Sequence, residues 1–114
     1  MSRAAPKCDV FSAIAEPRRR EIIGMLSGGQ SHAVGEIVAA LGISQPSVSK
    51  HLGVLRSAGI VSVNKQGQHR LYRLNPKELR PVYDWVAEFE RFWGRQANRI
   101  KQRAERRAKT SAPK

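Results

Sequence analysis

The stretch that most constrains this chain runs from Glu36 to Val61, EIVAALGISQPSVSKHLGVLRSAGIV, where two runs of helical apolar spacing break at one glycine. Val34, Ile37, Val38 and Leu41 recur at intervals that put them on one side of a helix expected over about His32 to Leu41. Gly42 follows, the residue type that closes a helix in the left-handed conformation at least cost. Ser44 then stands as an N-cap with Pro46 in the first turn. Val48, Leu52 and Leu55 fall four and three residues apart, so they share the inward face of a second helix over about Ser44 to Ala58, stopped by Gly59. A helix, a tight turn at Leu41-Gly42-Ile43 and a second helix with polar residues on its leading outer face form the pattern of a helix-turn-helix.

The flanks extend the pattern. Asp9 is a plausible N-cap for a short helix carrying Val10, Phe11, Ile14 and Ala15, which ends before Pro17. Pro17 suits the first turn of the next helix, whose stripe is Ile22, Ile23, Met25 and Leu26 and whose end is Gly28-Gly29. Beyond Gly59, the β-branched run Ile60 to Val63 and the run Arg70 to Leu74 are joined by the polar segment Asn64 to His69, which reads as a hairpin with a long connection. Asn75-Pro76 opens a last long helix. In it Leu79, Val82, Tyr83, Trp85, Val86, Phe89, Phe92 and Trp93 supply more apolar surface than one helix face needs for its own domain, so something else must cover the surplus. The expected fold is mainly α with some β: a winged helix-turn-helix of about five helices and a two-stranded hairpin wing. It occupies residues 9–102, with a disordered N-terminus over 1–8 and a basic disordered tail over 103–114.

At 114 residues the chain fits one domain and is too small for a separate catalytic one. Its 21 Lys and Arg against 9 Asp and Glu leave a net charge of +12, which costs self-repulsion unless a polyanion partner uses it. Nucleic acid is the partner this points to. No stretch approaches the roughly 18 to 20 apolar residues of a spanning helix, and the start, MSRAAPKCDV, lacks the apolar core of a signal peptide, so a cytoplasmic protein is expected. The single cysteine, Cys8, can neither form an internal disulfide nor build a thiolate metal site by itself. There is no nucleophile and base pairing, no glycine loop to cradle phosphate and no metal constellation, so neither an enzyme nor a cofactor is expected. An RNA-binding module would share the charge but normally stacks bases on aromatics of a sheet or loop, and here only Tyr72 lies near the hairpin. A DNA-bending chromatin protein without sequence preference is the other alternative.

In the helix-turn-helix reading, the second helix puts its N-terminal residues into the DNA major groove. Gln45, Ser47, Ser49 and Lys50 carry the amide, hydroxyl and ammonium groups that meet base edges or phosphates, and His51 and Arg56 lie further along, better placed for phosphate. In the wing, Lys65, Gln66, Gln68, His69 and Arg70 gather around Gly67, with Lys65 and Arg70 as the expected phosphate anchors. Arg18, Arg19 and Arg20 open the second helix, where cations oppose the helix dipole. Local stability alone leaves them unexplained; a phosphate contact and a solvated basic face are both open.

The segments DVFSAIAEPRRREIIGML, AVGEIVAALGISQPSVSKHLGVLRSAGIV and GQHRLYRLN together resemble the arsenical-resistance repressor (ArsR) family of winged-helix regulators, over about residues 9–93. The resemblance implies a homodimer built by the first and last helices, repression at an inverted-repeat operator in double-stranded DNA, and release when an effector shifts the dimer. Metal-sensing members carry a cysteine cluster on the helix before the recognition helix, or paired His and carboxylate ligands on the last helix. Here HAVGEIVAALG has no cysteine and the last helix has no histidine, while His32, His51 and His69 fall on three different elements, so no metal site is expected. The effector is left open among a small molecule, a protein, a redox change at Cys8, or none. A dimer would also cover the surplus aromatics, if Val10, Phe11 and Ile14 pack with Trp85, Phe89, Phe92 and Trp93 across a two-fold axis. The basic stretch Arg95 to Lys109 either extends the last helix toward phosphate or is a solvated tail.

Overall fold

The computed structural model describes residues 9–93. The expectations for 1–8, for Cys8, for 94–102 and for the basic tail lie outside the described residues. Two compact units result, one running up to Val82 and one starting at Tyr83.

In the first unit, α1 (Val10–Ile14) is capped by the Asp9 carboxylate, which accepts the Ser12 N–H at 2.7 Å. Pro17 opens α2 (Pro17–Leu26). The next helix starts later than the spacing predicts. His32–Ala33 is instead a two-residue strand, β1, and α3 covers Val34–Leu41. Ala33 is extended, and its N–H donates to the Glu36 carboxylate at 2.9 Å, which makes it the cap and Val34 the first helical residue. Gly42 ends α3 at φ 70°, its N–H donating to the Val38 carbonyl at 2.8 Å. Ser44 then caps α4 (Gln45–Ser57), accepting the Ser47 N–H at 3.3 Å, with Ala58 as its C-cap and Gly59 beyond at φ 81°.

The wing departs from its expected outline. Strands β2 (Val61–Gln66) and β3 (His69–Leu74) run through most of the segment expected to be loop, leaving only Gly67-Gln68 as the turn. Gly67 has φ 63° and Gln68 does not, the pattern of a two-residue turn whose twist matches that of the strands. The sheet also has three strands rather than two, in the order β1-β3-β2, because His32 and Ala33 pair with Tyr72 and Leu71. Asn75 ties the end of this sheet back to α4. Its N–H donates to the Ile60 carbonyl at 2.7 Å, and its side-chain amide donates to the Gly59 carbonyl at 3.0 Å.

The core gathers Ala13, Ile22, Leu26, Ile37, Val48, Leu52, Leu55, Ile60, Val61, Tyr72 and Leu74 from α1 to α4 and the sheet. Val48, Leu52 and Leu55 are fully buried, each contributing about 1.5–3 kcal/mol of side-chain burial and fixing which face of α4 turns outward.

The last helix is broken where a continuous one was expected. A 3-10 turn over Pro76–Leu79 precedes α5 (Arg80–Ala87), which spans the boundary at Val82; a turn at 88–89 follows before helix resumes at 90–93. Proline explains the first break. Arg80 donates to Lys77 three residues back, and Pro81 has no N–H with which to reach Lys77 in an α pattern.

Candidate nucleic-acid interface

The caps and the buried face of α4 decide what its first two turns offer to a partner. Gln45, Ser49, Lys50 and Arg56 are exposed. Ser47 is half-buried, with its hydroxyl accepting from that of Ser44 at 3.1 Å, so part of its bonding capacity belongs to the cap. His51 is also half-buried, its Nδ1 lying 3.4 Å from Nη1 of Arg19, which turns it toward α2.

On the wing, Lys65, Gln66, Gln68, His69 and Arg70 are all exposed. A groove of about 290 Å³ brings Gln45 together with Gln68, His69 and Arg70, its other wall being Ala33, Val34 and Gly35 at the start of α3. Ser47, Ser49, Lys50, Arg56 and Lys65 do not line it. Lys50, Arg56, Lys65 and Arg70 form no ion pair among the described residues, whereas Arg18 pairs with Glu21 at 2.9 Å and His32 with Glu36 at 3.2 Å. The Glu36 carboxyl is held below its ordinary value, chiefly by the Ala33 N–H and further by His32. That favours the ionised carboxylate that accepts the N–H of the cap residue Ala33.

Arg19 and Arg20 have local roles that the sequence did not disclose. Arg19 Nε donates to the Ala13 carbonyl at 2.6 Å and Nη2 to the Ser12 carbonyl at 3.5 Å, while Arg20 Nη1 donates to Ile14 and Ala15 at 2.8 and 3.1 Å. Cations unfavourable at the start of α2 thus sit at the C-terminal end of α1, where orphan carbonyls and the dipole attract them. Arg18 pairs with Glu21 along the helix. The available signal was that α1 ends without a glycine and that three arginines follow within six residues of its end.

Of the expected dimer residues in the first unit, Val10 and Ile14 are half-buried and pack against its core, while Phe11 is exposed. In the second unit, Trp85, Phe89, Phe92 and Trp93 are 52, 37, 58 and 53% exposed. Three of them form a connected patch, Trp85 meeting Phe89 edge-on at 5.5 Å and Phe89 stacking on Trp93 at 6.5 Å, while Phe92 carries Arg91 4.9 Å over its ring. No helix among the described residues is long and apolar enough to cross a membrane. No group of three or more His, Cys, Asp or Glu side chains among them could hold a metal ion.

Comparison with known proteins bears on the same residues. Residues 16–63 match the family described as bacterial regulatory protein, arsR family. The chain is 40% identical over 81 residues to the transcriptional repressor SdpR of Bacillus subtilis (strain 168), covering 71% of this chain and 89% of that protein. Among solved structures, a possible transcriptional regulator for arsenical resistance superposes with a TM-score of 0.65 at 34% identity, over 72% of this chain and 84% of that one. The homodimeric winged helix-turn-helix DNA-binding domain of Mb0332 from Mycobacterium bovis, a possible ArsR-family transcriptional regulator, superposes with a TM-score of 0.59 at 30% identity, over 70 and 76% of the two chains. Fold, motif and relatives agree: the chain belongs to the ArsR family of bacterial regulatory proteins and is a transcriptional regulator with a winged helix-turn-helix DNA-binding fold.

Proposed function

We propose that the protein is a sequence-specific cytoplasmic repressor that binds an inverted-repeat operator as a homodimer. The observation that carries this reading is the groove lined both by Gln45 at the start of α4 and by Gln68, His69 and Arg70 at the wing tip. Gln45, Ser49 and Lys50 read base edges from the first turns of α4, Ser47 supports them through the cap, and Arg56 meets phosphate. Lys65 and Arg70 hold the backbone beside the groove, with Gln68 and His69 at the turn.

The dimer surface draws on Phe11 and on Trp85, Phe89, Phe92 and Trp93, whose exposed rings leave water when a second copy covers them. The name of SdpR, a repressor, and the homodimeric state of the Mycobacterium bovis domain support the two halves of the proposal. A two-fold dimer reads half-sites about 10 bp apart, or a multiple of that. Mobility-shift titration of the promoter region of its own gene against random DNA tests the reading, with a footprint to give the half-site spacing. Equal affinity for both DNAs would sink it.

A further inference from the structure

We infer that Arg19 is a positioning residue for the recognition helix, linking the end of α1 to His51, and that His51 serves the placement of α4 rather than a phosphate. The role rests on the DNA-reading proposal above. Arg19 is half-buried, and its guanidinium reaches the Ala13 and Ser12 carbonyls with Nε and Nη2 while Nη1 lies 3.4 Å from His51 Nδ1. A guanidinium has donors only, so in this contact the imidazole Nδ1 is the acceptor. Among the described residues this is the one side-chain polar contact that α4 makes with another helix.

The contact matters because the other contacts that α4 makes with neighbouring helices among the described residues are apolar, its polar tie through Asn75 lying beyond its far end. Val48, Leu52 and Leu55 fix which face is buried, but such packing has no direction and leaves small rotations cheap. The planar fork of Arg19 does have direction. A displacement of the Ala13 carbonyl shifts the fork, and the fork shifts His51, two residues past Ser49 on the helix that would enter the groove.

The test measures operator and random-DNA affinity across a salt series for the wild type, Arg19→Lys, His51→Ala and the double variant. Each single change is expected to lower the ratio of operator to random affinity by about threefold to tenfold with the salt slope unchanged, and the double to fall no further than the worse single. His51→Ala leaves the capping contacts of α1 untouched, so it keeps the test readable if Arg19→Lys lowers stability. Equal loss on both DNAs with a slope reduced by about one would mark a direct phosphate contact and overturn the role. Additive effects, or full operator preference in both single variants, would also overturn it. A wild type without operator preference overturns the repressor reading itself and this role with it.

Discussion

Lys65 and Arg70 are direct cross-strand partners in the wing, on the sheet face that also carries Val61, Val63, Tyr72 and Leu74. The two cations continue the core-facing row past the end of the core, where like charges opposite each other cost about 0.2–1 kcal/mol. An anion held between them would reverse the sign. Lys65→Gln should therefore raise the melting temperature of the free protein at low salt, with the gain fading at high salt. The same variant should bind every DNA sequence more weakly, with a salt slope smaller by about one. Melting curves and a salt series of binding isotherms read both effects, and a destabilised variant would contradict the repulsion.

Gln45 and Ser47 should separate. Gln45 is exposed and lines the groove, so Gln45→Ala should cut operator preference by about 1–3 kcal/mol while leaving random-DNA affinity in place. Ser47 shares its hydroxyl with the Ser44 cap. Ser47→Ala should cost less preference than Gln45→Ala in the same competition assay.

Acid should loosen the start of α3. Because the folded-state Glu36 carboxyl sits below its ordinary value of 4.5, its contribution is complete above that value and is lost as pH falls through the lower, folded one. The stability difference between the wild type and Glu36→Gln should hold constant near neutrality and shrink on the acid side of 4.5. Paired denaturation curves from neutral to strongly acid pH check this, and a difference that grew with acidity would have the wrong sign.

Phe89 touches both Trp85 and Trp93 and so stands at the middle of the aromatic patch. Phe89→Asp puts a charge there, and sedimentation should show a monomer with reduced operator affinity, since one half-site supplies half the contacts. A monodisperse dimer of that variant would place the interface elsewhere.

Features set by neighbouring residues were legible in the sequence. Asp9 and Ser44 cap the helices they precede, and Gly42 and Gly59 turn where the spacing requires it, since each acts within one turn of the chain. The recognition helix was therefore readable almost to the residue. The features missed depend on distant partners. Nothing in His32-Ala33 marks a strand, because its pairing is set by Tyr72 and Leu71, and an alanine cap supported by Glu36 lacks the usual Ser or Thr. Asn64 to Gln66 look like loop by composition and become strand by pairing with His69 to Leu71. At the candidate site, exposure separated Gln45 and Ser49 from Ser47 and His51, a distinction that helical spacing alone does not draw.

Strand β1 also limits how the protein meets its partner. The same two residues are the outer strand of the wing sheet and the last ones before α3, so a pull on the wing reaches the helix pair within a single peptide unit. In the proposed binding mode, helix tip and wing tip then act as the jaws of a fixed-gauge caliper. A duplex whose grooves are too narrow or too wide for that gauge must deform to fit, and the deformation is charged to the DNA.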